Sequence, residues 1–263
     1  MRLIDTHAHV HIDRFDADRA AVLERARAAG VQRIVEIGYD LPSSRAALAL
    51  AHEHSLLAAT AGIQPHYASE TGDAELDGLR ELLAAPPIVA LGEIGLDYYH
   101  NRAPRDAQMR LFRQQLELAR GLDLPVVIHS RDAQDDTVQL LAEAARGLQI
   151  VMHAFSGGWA YAAACLELGA YLSFAGPVTF RKAGELHDVV RRVPLERMLA
   201  ETDCPYLSPE PYRGKRNEPA RVALVVQRIA ELRGDSADNI ADAVWANAHR
   251  VFPKLVAAAA VGG

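Results

Sequence analysis

Cysteine is scarce in this chain of 263 residues: Cys165 and Cys204 stand far apart and share no metal-type spacing. A disulfide scaffold and a thiolate metal site are excluded, and a reduced, cytoplasmic protein is the expectation. Long apolar runs are missing too. None approaches the ~18 residues of a membrane helix, and Asp5 interrupts an N-terminal signal pattern, so the reading is a soluble protein with no membrane partner. Positive charge is in deficit, with 28 Lys and Arg against 34 Asp and Glu and a net charge of −6. No global field recruits nucleic acid, and an anionic ligand needs local positive charge from metal ions or a basic loop. A glycine-rich phosphate loop is also lacking after the first strand, where Thr6-His7-Ala8-His9 stands instead. That counts against an open dinucleotide-binding sheet. No internal repeat, low-complexity tract or linker divides the chain.

What is there is a regular alternation. Short apolar stretches at 2–5, 32–37, 56–62, 88–91, 125–128, 149–152, 170–174 and 198–201 read as strands buried on both faces of a parallel sheet. Between them, helical periodicity marks 13–29, 42–52, 73–84, 104–120, 132–146, 159–168, 181–192 and 218–232. Gly30, Gly121, Gly147, Gly169 and Gly234 fall at or just past the ends of such segments, as helix-terminating glycines do. Eight strand–helix units predict an α/β fold, a (β/α)8 TIM barrel, for which roughly 250 residues is typical. An extra C-terminal helix near 236–251 is expected to cross the bottom or the outside, and 257–263 reads as a frayed tail. One domain spanning 1–263 is the expectation.

A barrel of this kind works at the C-terminal ends of its strands, so the residues just after each strand carry the chemistry. His7 and His9 follow the first strand, two apart and so on one side of it. Glu93 follows the fourth strand, His129 the fifth and His153 the sixth, and Glu201-Thr202-Asp203 ends the eighth. Four histidines and two carboxylates converging on one mouth make a metal site. Imidazole with carboxylate suits zinc, manganese or iron and tolerates magnesium less readily. Six ligands exceed what one open catalytic ion takes, so two divalent ions are expected, with Mg, Mn and Zn all open. Glu93 bridges them; His7, His9 and Asp203 hold one ion, and His129 and His153 complete the other.

Six segments, in order, resemble the TatD family of metal-dependent deoxyribonucleases of the amidohydrolase-like superfamily. They are Asp5-Thr6-His7-Ala8-His9, Gly92-Glu93-Ile94-Gly95-Leu96-Asp97, His129-Ser130-Arg131-Asp132-Ala133 and His153-Ala154-Phe155-Ser156-Gly157, followed by Glu201-Thr202-Asp203-Cys204-Pro205-Tyr206 and Arg213-Gly214-Lys215-Arg216-Asn217-Glu218-Pro219. The likeness extends to Asn247-Ala248-His249-Arg250-Val251-Phe252. It implies hydrolysis of DNA phosphodiester bonds with divalent metal, commonly as a 3′-to-5′ exonuclease on single strands, and a role in DNA repair or degradation. It carries over His7, His9, Glu93, His129, His153 and Asp203 as metal ligands. One position departs. The family usually has Gly-x-His-Pro-His after the third strand, and this chain reads Gly62-Ile63-Gln64-Pro65-His66. Gln64 can donate a hydrogen bond to a phosphate but carries neither a proton for transfer nor a charge; His66 is left to contact a phosphate oxygen.

Two divalent ions bring +4 and Glu93 with Asp203 return −2, so the pocket stands at about +2, or about +1 with a metal-bridging hydroxide. Such a pocket holds a phosphodiester on an acidic protein. The expected reaction is in-line attack of that hydroxide on phosphorus, with Glu93 and Asp203 catalytic and Asp203 orienting the water or taking its proton. Arg131 and the loop of Arg213, Lys215 and Arg216 offer phosphate contacts; the plainer readings are that Arg131 pairs with Asp132 or Asp135 and that the loop is solvated. Tyr67, Tyr98, Tyr99, Phe155, Tyr206 and Tyr212 follow strand ends; taken singly each reads as local packing, and together they suit stacking on the bases of a single-stranded end. The other histidines read as ordinary: His52 and His54 at a helix end, His187 on a solvent face, His249 in the last helix, His11 and His100 in rim loops. Cys204 reads as a small buried residue. The alternative enzyme is a metal-dependent hydrolase of small amides, lactones or esters, which a carboxylated lysine bridge would favour; Glu93 takes that place. No protein partner is evident, and a monomer is the default.

Overall fold

A computed structural model describes residues 1–255; the tail expected at 257–263 lies outside the described residues. Eight strands form one sheet in chain order, every neighbouring pair parallel. They are β1 (Leu3–Ala8), β2 (Val31–Glu36), β3 (Leu57–Ala61), β4 (Ile88–Asp97), β5 (Val126–Arg131), β6 (Ile150–Met152), β7 (Tyr171–Phe174) and β8 (Met198–Ala200). Eight helices alternate with them: α1 (Arg19–Ala28), α2 (Leu41–Glu53), α3 (Asp73–Leu83), α4 (Arg105–Leu122), α5 (Gln134–Ala144), α6 (Trp159–Glu167), α7 (Gly184–Arg192) and α8 (Val222–Arg233). The result is the expected (β/α)8 barrel. Strands such as β1, β3 and β4 are buried at every residue, because one face fills the barrel and the other meets the helices. Among the described residues no helix is long and apolar enough to cross a membrane.

The ninth helix, α9 (Ala237–Val251), packs against β1, β8 and α8. It therefore covers the outside of the seam between first and last strands. Ser236 caps it by accepting from the Asn239 N–H at 3.1 Å. Inside it, Asn247 Nδ2 donates to Leu195 O and Met198 O, which anchors the helix to the start of β8.

The seam is closed by the polar residues of the first motif. The Asp203 N–H donates to His7 O and the His9 N–H to Cys204 O, both at 2.9 Å, beside a parallel bridge between Ala8 and Cys204. Asp5, fully buried, accepts from the Thr202 N–H at 2.8 Å and from Thr202 Oγ1 at 2.5 Å. Thr6 Oγ1 donates to Ala200 O at 3.1 Å. Burial pushes the Asp5 carboxyl well above its usual range even against these bonds.

Several expected boundaries shift, each for a local reason. β4 runs to Asp97 rather than stopping at residue 91, so Glu93 lies inside the strand. Its pairing with β5 is irregular between Leu91 and Ile94, as β1 against β2 is between Asp5 and Ala8. Such irregularities re-aim side chains beside functional sites, and here they span Glu93 and His7. Gly121 does not end α4. The helix continues to Leu122 and stops at Asp123 in the left-handed region (φ 51°), whereas Gly30, Gly147, Gly169 and Gly234 do take positive φ at helix ends. The segments before α1 and α8 wind as short 3-10 turns, Asp13–Phe15 and Pro219–Arg221.

Gly95 shows how tightly β4 meets β5: its φ is +139°, and a Cβ there would sit 2.0 Å from His129 O. Gly121, by contrast, has open space around it. Gly95→Ala is expected to destabilise the protein by more than ~2 kcal/mol in urea unfolding, while Gly121→Ala stabilises it by ~0.5–1 kcal/mol. A Gly95→Ala variant as stable as the parent would contradict this strand approach.

Candidate metal centre

Six side chains meet at the mouth of the barrel. The Nε2 atoms of His7 and His9 lie 3.2 Å apart. Asp203 Oδ1 is 3.6 Å from the first and 3.4 Å from the second. Glu93 enters with its two oxygens facing different partners. Oε2 lies 3.7 Å from His7 Nε2, while Oε1 lies 2.9 Å from His129 Nδ1 and 3.1 Å from His153 Nε2. The His7 and His153 rings stack with centroids 3.8 Å apart, joining the two halves. Ligand atoms on a tetrahedral ion with ~2.1 Å bonds are about 3.4 Å apart, and the gaps among His7, His9 and Asp203, 3.2 to 3.6 Å, are close to that edge.

The outer nitrogens decide which lone pairs face inward. His9 Nδ1 donates to Ile37 O at 2.9 Å, so its Nε2 carries a free lone pair. His153 Nδ1 donates to Glu201 Oε1 at 3.0 Å, and His129 Nε2 donates to Asp97 Oδ2 at 3.0 Å. Three of four imidazoles are thus held by a carbonyl or carboxylate on the far side, the arrangement that orients metal-binding histidines. His7 Nδ1 is the exception, buried without a partner. The nitrogens left over point at one another and at carboxylate oxygens. Such a set fits cations between them: His7, His9 and Glu93 form one grouping, His7, His153 and Asp203 another, and Glu93, His129 and His153 a third.

Burial alone would raise the Glu93 carboxyl, but the imidazoles of His153 and His129 overturn that and hold it well below its usual range. Burial alone would lower His153, but Glu93 and Glu201 carry it well above the ordinary imidazole value. His9 and His129 are raised against burial too, by Asp203 in one case and by Asp97 and Glu93 in the other. His7 goes the other way, lowered by burial and by the neighbouring His153. The site attracts positive charge strongly, and divalent ions satisfy that attraction as protons do.

The backbone is built to deliver these groups. From α4, Gln108 Oε1 accepts from the Asp97 N–H at 2.8 Å while its Nε2 donates to Asp97 O and Ala103 O. Gln115 does the same for Ile63, accepting from its N–H and donating to its O, both at 2.9 Å. Two buried glutamines therefore pin the end of β4 and the segment after β3. Asp203 (φ 53°), one of the converging residues, and Ala154 (φ 41°), next to His153, are left-handed non-glycine residues, a conformation found where function outweighs backbone preference.

Residues outside the six fare differently. Gln64 is turned inward: its Nε2 donates to Glu93 Oε2 at 2.7 Å. His66 lies on Asp97, Nε2 to Oδ2 3.1 Å, and is 17% exposed. Arg131 lies over the Tyr99 ring at 4.2 Å rather than against Asp132 or Asp135, and Arg213 lies over Phe180 at 4.6 Å. Arg216 pairs with Asp18 through two hydrogen bonds, at 2.9 and 2.7 Å. Of the aromatics, Phe155 is buried against Tyr161 and Phe174, while the half-buried Tyr98 donates its hydroxyl to Asp136 and has the Arg105 guanidinium over its ring. Tyr99, Tyr206 and Tyr212 are exposed. His187 is buried, with Nε2 donating to Val178 O, because its helix turns that face to the barrel. His11 is held by the buried Glu36, Nδ1 to Oε1 2.6 Å.

Sequence reasoning missed Asp97, Glu201 and Tyr39. Asp97 and Glu201 add two negative charges beside the imidazoles, which cancel the surplus of about +2 counted from Glu93 and Asp203 alone. Their signal was parity: Asp97 stands four residues from Glu93, Glu201 two from Asp203. Tyr39 follows β2 with its ring 5.7 Å from that of His9, and burial pushes its hydroxyl up to about 12.

Glu201→Gln keeps the hydrogen-bonding shape but removes the charge behind His153. Metal affinity is expected to fall about 10–100-fold, read by competition with a chromophoric chelator, while the far-UV circular dichroism stays that of the parent. Unchanged affinity would deny Glu201 its orienting role.

Known proteins resemble this chain along nearly its whole length. The profile of the TatD related DNase family matches residues 4–253. The uncharacterized metal-dependent hydrolase YabD of Bacillus subtilis (strain 168) is 42% identical over 251 residues, covering 95% of this chain and 98% of its own. The 3′-5′ ssDNA/RNA exonuclease TatD of Erwinia amylovora is 35% identical over 257 residues, covering 95% and 99%. Among solved structures, the TatD homologue YjjV of Escherichia coli K12 superposes with a TM-score of 0.91 at 34% identity, covering 96% of this chain and 98% of its own. With the barrel, its mouth and the motifs in agreement, the chain belongs to the TatD family of metal-dependent hydrolases.

Proposed function

We propose that this protein hydrolyses phosphodiester bonds of single-stranded DNA from the 3′ end, using two divalent ions that share Glu93. The observation that carries the reading is the two-sided placement of Glu93, with Oε2 toward His7 and Oε1 toward His129 and His153. His7, His9 and Asp203 would hold one ion, and His129 and His153 the other. Ions there would supply Lewis-acid charge to the phosphate and acidify a water.

The chain's own groups do the rest. Asp203 is 13% exposed, and the oxygen not facing the imidazoles accepts a proton from the attacking water. His66, 17% exposed with its Nε2 held against Asp97, keeps its other ring nitrogen for a phosphate oxygen. Gln64, tied to Glu93, steadies the shared carboxylate and takes no part in proton transfer. Around the rim, exposed rings carry a guanidinium over one face: Tyr99 with Arg131, Tyr206 with Arg14, Tyr212 with Arg221. An open ring beside a cation suits an unpaired base and its phosphate. The name of the Erwinia amylovora relative, an ssDNA/RNA exonuclease, supports the same substrate class.

A 5′-labelled single-stranded DNA is expected to shorten stepwise from its 3′ end with added magnesium, manganese or zinc, and not after chelation or with Glu93→Ala. No cleavage by folded, metal-loaded protein would move the reading to esters, lactones or amides. Asp203→Asn is expected to lower kcat by roughly 10²-fold or more while DNA binding changes little; equal losses in both would leave Asp203 a ligand only. Tyr206→Ala is expected to weaken single-strand binding by roughly fivefold or more, about 1 kcal/mol of stacking, with little effect on a duplex.

A further inference from the structure

Asp97 is buried, and more imidazole nitrogens approach its Oδ2 than that oxygen has lone pairs. Oδ1 accepts from the His100 N–H at 2.8 Å. Oδ2 is approached by three imidazole nitrogens at once: His100 Nδ1 at 2.8 Å, His129 Nε2 at 3.0 Å and His66 Nε2 at 3.1 Å. A carboxylate oxygen has two lone pairs. One is claimed by His129, whose Nε2 must carry the proton if Nδ1 is to face Glu93. The nitrogens of His66 and His100 then compete for what is left. A cation removes the conflict, because both nitrogens turn lone pairs toward it and Asp97 supplies the anionic oxygen.

The geometry points to a further divalent-cation site formed by His66 Nε2, Asp97 Oδ2 and His100 Nδ1, distinct from the six ligands around Glu93. These three atoms lie within 4.8 Å of one another. Two imidazoles with one carboxylate are the donor set of an open zinc site, whose fourth position takes water or a substrate oxygen. The side chains of His66 and His100 are 17% and 39% exposed, so an ion and its outer ligand reach the site from solvent. Asp97 links it to the main cluster through His129, whose ring centroid is 6.3 Å from that of His66. The charge balance gives the site a purpose. Two ions around Glu93 bring +4, and Glu93, Asp203, Asp97 and Glu201 bring −4, so a further divalent ion restores the positive potential an anionic substrate needs. That purpose rests on the phosphodiester reading above; the site itself does not.

The test is a metal count. Chelator-stripped protein is loaded with zinc, desalted, and measured by native mass spectrometry and elemental analysis, beside His100→Ala and His66→Asn. Each variant is expected to carry one equivalent fewer than the parent, and Glu93→Ala to lose ions while keeping the one at Asp97. An anomalous difference map of zinc-loaded crystals is expected to show a peak within bonding distance of His100 Nδ1 and Asp97 Oδ2. A count unchanged in both histidine variants, or a map without that peak, overturns the site. A nuclease assay that fails while the count behaves as expected overturns only the substrate reading.

Discussion

The functional end of this protein depends on the closure of β8 against β1. Asp203 reaches His7 and His9 only because its own N–H donates to His7 O and the His9 N–H donates to Cys204 O. The same seam buries Asp5, whose carboxylate gathers the Thr202 N–H and hydroxyl. A buried carboxylate is costly unless fully hydrogen-bonded, so this one holds the first and last strands in a single register. Sealing the barrel and assembling the site are one event.

Behind the converging side chains stands a layer of fixed acceptors. Ile37 O, Glu201 and Asp97 each accept a hydrogen bond from an imidazole N–H and leave the ring's other nitrogen facing inward. This costs burial of carboxylates, and the charge is answered within the cluster: Glu93 is pulled well below its usual range by the same histidines that it raises. The glutamines of α4 hold the backbone of these residues by paired hydrogen bonds. The converging side chains are therefore oriented by the barrel wall and by one outer helix, which is how a site on strand ends keeps its geometry.

The rim obeys looser rules. Arg216 ties the loop after β8 to Asp18 near α1, and Asn217 Nδ2 binds Thr202 O and Tyr206 O, so much of that loop's polarity is structural. Tyr99, Tyr206 and Tyr212 stay open while Phe155 and Tyr98 are absorbed into packing. Residue type and position after a strand do not separate these two groups. Their difference lies in which helix passes beside each ring.

The sequence by itself determined the barrel and the identity of the six converging residues. Both follow from local rules: apolar runs of strand length alternate with helical periods, and polar residues just past parallel strands share one rim. Even Glu93, inside β4 rather than after it, remained legible because the strand keeps its side chain on the barrel face. The tertiary structure decided the rest. Which imidazole nitrogen faces inward, how many carboxylates join the cluster, where Gln64 spends its hydrogen bond and why three histidines crowd Asp97 all depend on groups brought together from distant strands and helices. Glu201 meets His153 across 48 residues and Gln64 meets Glu93 across 29. Hydrogen-bond partners at such separations are chosen by the closed barrel, since no local pattern encodes them.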